Sequence, residues 1–167
     1  DSQIVTQSAQ LGTAHAVAQS REILSGFEGD LIILYGDTPF IRSETLGKLA
    51  QARQKSDLVV LGFQANDPGR YGRLVTSGTD LLEIVEYKEA NSAQKDITLC
   101  NSGVLAGPAQ LIFQLIEQVE TSNNAGELYL TDCIALARAA GKSAGVVTCP
   151  EAETLGVNSR RDLAQAE

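Results

Sequence analysis

The apolar run Leu31-Ile32-Ile33-Leu34 constrains the fold of this chain more than any other feature, because of the turn into which it leads. A short run without polar alternation predicts a strand buried on both faces, as in a parallel sheet covered by helices. The run ends in Tyr35-Gly36-Asp37-Thr38-Pro39, so an aspartate stands where the strand passes into a turn. In open α/β sheets, ligands bind beyond the carboxyl ends of such strands. Asp37 is therefore a candidate metal carboxylate, with a plain turn-initiating role as the alternative.

The rest of the chain fits the same class. Gln3-Ile4-Val5-Thr6 reads as a strand, and apolar residues at helical spacing (Ala14, Val17, Ala18, Leu24) predict a helix over Ala14 to Leu24, with Gly26 near its end. A strand over Leu31 to Tyr35 comes next. Ser43 is a natural N-cap for a helix reaching about Gln54, and Leu58 to Phe63 is a second dense, β-branched strand. This is a β-α-β-α-β rhythm. From Gly72 the texture changes. Arg73-Leu74-Val75 and Leu82 to Tyr87 flank Ser77-Gly78-Thr79-Asp80, which predicts a β-hairpin whose turn is longer than the tight two-residue kind. Leu99 to Ala106 is another strand, and Pro108, at a first helical position, opens a helix to about Val119. Beyond the loop from Glu120 to Gly126, Tyr129 to Ala140 predicts a helix stopped by Gly141, Ala144 to Thr148 a strand, and Asn158 or Ser159 the cap of a short last helix. The expected class is α/β with an antiparallel insertion, as one domain over residues 1–167.

Composition narrows the ligands. With 21 acidic against 13 basic residues, a net charge of -8 and no basic cluster, the chain is not expected to bind nucleic acid or an anionic membrane. An anionic small ligand would need a divalent cation or local backbone donors. One histidine argues against a Ser-His-Asp triad or a multi-histidine zinc site. Cys100, Cys133 and Cys149 are isolated in apolar segments and read as buried, reduced thiols. No apolar run is long enough to span a bilayer, and a cytoplasmic protein is the simplest expectation.

Several polar residues stand at element ends. Gln7 to Ala16 joins a strand end to a helix start, and Gly12-Thr13 there would let a ligand approach the backbone; a plain turn explains the same letters. His15, among alanines, reads as a packed histidine. Arg70 and Arg73 flank Tyr71-Gly72, which suits phosphate recognition or, alternatively, a turn with solvated arginines. Alternation places Ile84 and Glu86 on one face, where a carboxylate wants a donor such as a sugar hydroxyl or a nearby lysine. Asn101-Ser102-Gly103 interrupts an apolar strand, an expensive place for an amide unless it is fully hydrogen-bonded.

These motifs occur together in an order that resembles the uridyltransferase domain of the bacterial bifunctional N-acetylglucosamine-1-phosphate uridyltransferase/glucosamine-1-phosphate acetyltransferases. The matching segments are Gln7 to Ala16, Leu34 to Pro39, Gly69 to Arg73, Ile84 to Lys88, Asn101 to Gly103, Gly126 to Asp132 and Gly156 to Asn158. The resemblance implies a Rossmann-like nucleotidyltransferase fold with a mixed sheet. It also implies transfer of uridylyl from UTP to N-acetylglucosamine 1-phosphate, giving UDP-N-acetylglucosamine and pyrophosphate. Carried over, Gln7, Gly12 and Thr13 would recognise uracil, and Tyr35 and Gly36 would line the nucleotide. Asp37 and Asn158 would hold Mg²⁺ as the catalytic pair. Gly72, Glu86 and Asn101 would bind the amino sugar, with Tyr129 and Thr131 completing its pocket.

The family's domain opens with a strand, a glycine-rich loop carrying an arginine, and a downstream lysine that grip the triphosphate; residues 1–167 do not supply them. The hexapeptide-repeat acetyltransferase half is not in this chain either. The expectation is a partial, N-terminally incomplete domain with impaired turnover that self-associates through exposed apolar faces. Related sugar-1-phosphate nucleotidyltransferases with another sugar or base, and a non-catalytic nucleotide-sugar-binding module, are the alternatives.

Overall fold

The computed structural model describes residues 2–121, 123–157, 159–160 and 163–164. Its sheet is built around β2 (Leu58–Gln64), whose side chains alternate between two apolar layers. Leu58 and Val60 enter one layer and Val59, Leu61 and Phe63 the other, none more than 1% exposed. Burial of such side chains contributes about 1.5–3 kcal/mol each, so this strand anchors the core. The first layer is completed by α1 (Thr13–Ala18), α4 (Ala109–Ile116) and α5 (Asp132–Ala139), the second by Leu49 of α2 (Ser43–Ala52). Helices thus cover both faces.

The remaining strands are β1 (Asp30–Ile33), β3 (Arg73–Ser77), β4 (Asp80–Val85), β5 (Leu99–Pro108) and β6 (Ala144–Cys149), in the order β1-β5-β2-β6-β4-β3. β2 and β6 are parallel, whereas β5 runs antiparallel to both β1 and β2. β1 and β2 therefore point the same way, as the β-α-β rhythm requires, but the later strand β5 lies between them. The sheet is mixed, with the hairpin β3–β4 at its far edge.

This order moves the doubly buried position from β1 to β2. β1 is an edge strand whose residues alternate exposed and half-buried, with Ile32 39% and Leu34 47% exposed. Local sequence cannot distinguish an apolar edge from an apolar centre. Residues Gln3 to Thr6 have no ladder partner and form no strand. The helix expected over Ala14 to Leu24 stops at Ala18 and continues as turns through Ser20, Leu24 and Phe27. Ser43 is the first residue of α2, with Arg42 as its N-cap. The hairpin turn is tight rather than long, with Ser77 paired to Asp80 and Gly78 at φ 60°; a bulge between Val75 and Thr76 absorbs the offset.

Pro108 precedes α4 as its N-cap, and α5 begins only at Asp132. A short helix α3 (Ser92–Lys95), closed by an Asn91–Gln94 capping box, and a 3-10 turn over Glu151–Thr154 complete the described elements. Of the two caps expected for a last helix, Asn158 lies outside the described residues, whereas Ser159 is a bend directly before the helical Arg160. All three cysteines are free and buried. No described helix is long and apolar enough to cross a membrane.

Candidate functional site

Beyond the carboxyl end of β1 the chain turns sharply, and the Thr38 amide and hydroxyl both donate to Tyr35 O, at 3.3 and 3.0 Å. This turn exposes the Asp37 side chain at a cleft of about 570 Å³. The opposite wall is the strap Ala152 to Val157, which is tied to the turn where the Val157 amide donates to Asp37 O at 2.7 Å. A deeper tie is the buried Glu153, whose carboxylate accepts from the Thr45 hydroxyl at 2.6 Å and the Arg42 amide at 3.2 Å. The first turn of α2 and the strap are thus one unit.

The floor of the cleft is a bulge in β5. Val60 pairs with Leu105 but Gly62 pairs with Asn101, so the ladder is offset across Ser102-Gly103-Val104. Polar groups within the bulge are satisfied locally: the Ser102 hydroxyl donates to Leu61 O at 2.7 Å, and Asn101 Oδ1 accepts from the Gly103 amide at 3.0 Å. The Asn101 amide donates to Gly72 O at 2.8 Å. Bulges re-aim side chains next to binding sites, and Asn101 is only half-buried here, which lowers the expense of an amide in this strand. Gly103 adopts φ 88°, and a Cβ there would sit 2.5 Å from the Tyr35 ring. Tyr35 packs into the space so provided. Burial, with Glu86 and Asp37 nearby and opposed by the Thr13 hydrogen bond, raises its phenol, which stays neutral.

The hairpin supplies the third wall. Gly72 lies against Glu86, and an added Cβ would be 3.5 Å from either carboxylate oxygen. The Thr131 hydroxyl donates to Glu86 Oε1 at 3.1 Å. Burial holds the Glu86 carboxyl above its ordinary range, with the Thr131 hydrogen bond opposing and Asp132 reinforcing the shift. Beside Glu86, Tyr129, Arg70, Tyr87 and Lys88 line an adjoining hollow of about 310 Å³. Arg70 is exposed and lines both spaces, whereas Arg73, its partner in the glycine turn, is only 2% exposed. The two arginines are therefore not a solvated or phosphate-facing pair.

Of the residues expected in the site, Tyr35, Asp37, Gly72, Glu86 and Asn101 line one cleft. Thr131 joins it through Glu86, Tyr129 sits in the adjoining hollow, and Gly36 lies between Tyr35 and Asp37 with open space where a Cβ would be. Gln7, Gly12 and Thr13 do not line the cleft. Gln7 Nε2 donates to Gly12 O at 3.1 Å and lies 2.9 Å from His15 Nδ1, while Gln19 approaches the other ring nitrogen at 3.2 Å. His15 is packed, as expected. The first turn of α1 is bound to the segment before α5: the Ala14 amide donates to Leu128 O at 2.9 Å and the Leu130 amide to the Thr13 hydroxyl at 2.9 Å. Thr13 instead lines, together with Tyr35, which also lines the cleft, a groove of about 480 Å³ between α1 and β1. Asn158 lies outside the described residues.

Sequence reasoning missed Phe40, Thr154 and Leu155 in the lining, and Glu153 behind it. An acidic residue between a proline and a glycine reads as surface loop, and only its buried partners reveal the clamp.

Comparison with known proteins agrees with this architecture. A family profile described as nucleotidyl transferase matches residues 1–151. The chain is 58% identical over 165 residues to the bifunctional protein GlmU of Cereibacter sphaeroides, covering 99% of this chain and 36% of that protein. It is 56% identical over 164 residues to the GlmU of a Ruegeria species, covering 98% and 36%. It therefore spans about a third of the length of these relatives. The crystal structure of the nucleoside-diphosphate-sugar pyrophosphorylase from Vibrio cholerae shares the fold, with a TM-score of 0.71 at 14% identity, over 96% of this chain and 66% of that one. The α/β mixed sheet, the cleft beyond β1 and the profile match together place this chain in the nucleotidyl transferase family.

Proposed function

We propose that this chain carries the sugar-nucleotide site of a uridyltransferase that joins UTP and N-acetylglucosamine 1-phosphate, releasing pyrophosphate and UDP-N-acetylglucosamine. The supporting observation is convergence: Tyr35, Asp37, Gly72, Glu86 and Asn101, from separate segments, line one 570 Å³ cleft. Glu86 and Asn101 offer an acceptor and an amide to the amino sugar, Gly72 leaves room for it, and Tyr129 and Thr131 close that side. Tyr35 and Gly36 face the nucleotide, and Thr13, which lines the neighbouring groove with Tyr35, reads uracil together with Gln7 and Gly12, which are hydrogen-bonded to each other just before it. In the reaction a phosphate oxygen of the sugar phosphate attacks the α-phosphorus of UTP, and the bond to the leaving pyrophosphate breaks in line.

No protein nucleophile is needed. Burial pushes Cys133 up to about 12 and Cys149 up to about 11, so both stay thiols. Asp37 suits Mg²⁺: it is an exposed hard-oxygen donor lining the cleft, and Mg²⁺ is commonly held by one or two carboxylates plus substrate phosphates. Among the described residues no group of three or more acidic, histidine or cysteine side chains forms a cage, so phosphate oxygens would complete the donor set. Asn158 is the proposed second ligand. When bound, the metal offsets repulsion between the two phosphates. Asp37 and the strap hold the phosphate end of the cleft, while Glu86 and Asn101 hold the sugar. A cytoplasmic location accords with such soluble substrates.

Calorimetry tests the specificity: UDP-N-acetylglucosamine should bind more tightly than UDP-glucose or dTDP-glucose, and equal affinities would refute the amino-sugar assignment. Binding without turnover is a second reading, favoured because Arg70 is the single cationic side chain among the described cleft residues. Pyrophosphate release with UTP, N-acetylglucosamine 1-phosphate and Mg²⁺ separates the two, since a rate near that of an intact domain excludes the second.

A further inference from the structure

Among the described residues Arg73 is the largest fully buried side chain, and no ion pair involves it. A buried cation is costly unless fully hydrogen-bonded. Here its compensation comes from main-chain carbonyls. Nη1 donates to Pro68 O at 3.2 Å and to Tyr71 O, Nη2 donates to Gly69 O at 3.0 Å, and Nε and Nη2 share Lys95 O at 3.4 Å. The Tyr87 ring lies 5.7 Å from the guanidinium carbon. The carbonyls of Pro68, Gly69 and Tyr71 thus converge on one planar fork, and without a cation they would repel one another. The same loop delivers Gly72 to Glu86 and to Asn101, and Arg70 to the cleft.

We propose that Arg73 is a positioning residue: its buried guanidinium templates the loop over residues 67–72 and thereby sets the sugar wall of the cleft, leaving the nucleotide wall to other elements. The functional half of this inference rests on the uridyltransferase reading; the templating half does not. A lysine keeps the charge but lacks the planar five-donor fork, so it cannot hold these carbonyls together.

The test compares the 167-residue chain with its Arg73→Lys and Arg73→Gln variants by amide hydrogen exchange and by calorimetry with UDP-N-acetylglucosamine and UMP. Tyr87→Leu, at a half-open position, gives a milder perturbation should both arginine variants fail to fold. The expected result is exchange at residues 69–72 at least about tenfold faster, with β2 and β5 protection unchanged. UDP-N-acetylglucosamine affinity should fall about tenfold or more while UMP affinity stays within about twofold; Tyr87→Leu should move both readouts the same way by less. Unchanged loop exchange overturns the proposal, and so does a loosened loop with equal losses for the two ligands. If the unmodified chain binds UMP but not UDP-N-acetylglucosamine, the uridyltransferase reading and with it the sugar-wall role fall, whereas the exchange result still decides the templating.

Discussion

Glu86 shows how a single residue can be held at a cost to the fold. Burial raises its carboxyl above the usual range, so in the folded state it binds protons more readily than when unfolded. Such a group weakens stability as pH rises from its ordinary value through the raised folded value. Glu86→Gln should therefore melt higher than the unmodified chain at neutral pH, with the difference shrinking as pH falls from the raised folded value towards about 4.5 and gone below that, where the Glu86 carboxyl is neutral in both the folded and the unfolded chain. Its affinity for UDP-N-acetylglucosamine should fall about tenfold, since a hydrogen bond to a charged group is worth about 1.5–3 kcal/mol. Melting curves at several pH values with calorimetry check both; a lower melting temperature at neutral pH would contradict the desolvation account. Gly103 is the complementary case. Its φ of 88°, and the 2.5 Å at which a side-chain methyl would meet the Tyr35 ring, leave no room for any larger residue. Gly103→Ala should lower stability by about 2 kcal/mol or more and weaken nucleotide binding by displacing Tyr35, measured by urea midpoint and calorimetry.

At the scale of elements, the site depends on ties between segments far apart in sequence. Glu153 joins the 3-10 turn to the start of α2 through the Thr45 hydroxyl and the Arg42 amide. Glu153→Ala strands these donors in a buried place and should cost about 1–3 kcal/mol, read as a lower urea midpoint at constant slope. Glu153→Gln, which keeps an acceptor, should lose less. Elements are readable in the sequence where local chemistry decides them. The existence of the hairpin, the stop at Gly141 and the apolar run of β2 all appear as their patterns require, whereas the hairpin's turn is shorter than its letters suggest. The bulge at Ser102 to Val104 is readable only as the Asn101-Ser102-Gly103 anomaly in an apolar strand, because it exists through pairing with β2. Glu153, in a 3-10 turn, and Arg73, at the start of β3, give no usable signal, since a charged residue at an element end has the same letters whether solvated or buried.

For the whole molecule, the governing feature is the edge at β1. Among the described strands it bonds to β5 alone, and Ile32 and Leu34 stand exposed beside the apolar groove under α1. A short strand with an open edge can pair with its own copy about a two-fold axis, and exposed apolar side chains favour that contact. Light scattering of the 167-residue chain should give a mass above the 17.7 kDa monomer that rises with concentration. Ile32→Lys should restore the monomer by placing a charge on the edge. A monomer at all concentrations for the unmodified chain would show that the edge is protected.

The sequence by itself determined the class of fold, the presence of the hairpin and five of the residues that meet in the cleft, because hydrophobic period, turn chemistry and motif order are local properties. Tertiary structure alone decided that β5 separates β1 from β2, that Glu153 and Arg73 are buried in service of loops, and that Gln7, Gly12 and Thr13 stand apart from the cleft. Those outcomes depend on which segments bury one another, and that is a property of the assembled sheet rather than of any stretch of chain. Asp37 joins the two levels: its place after an apolar strand was legible, and the Val157 hydrogen bond that sets its turn against the strap was not.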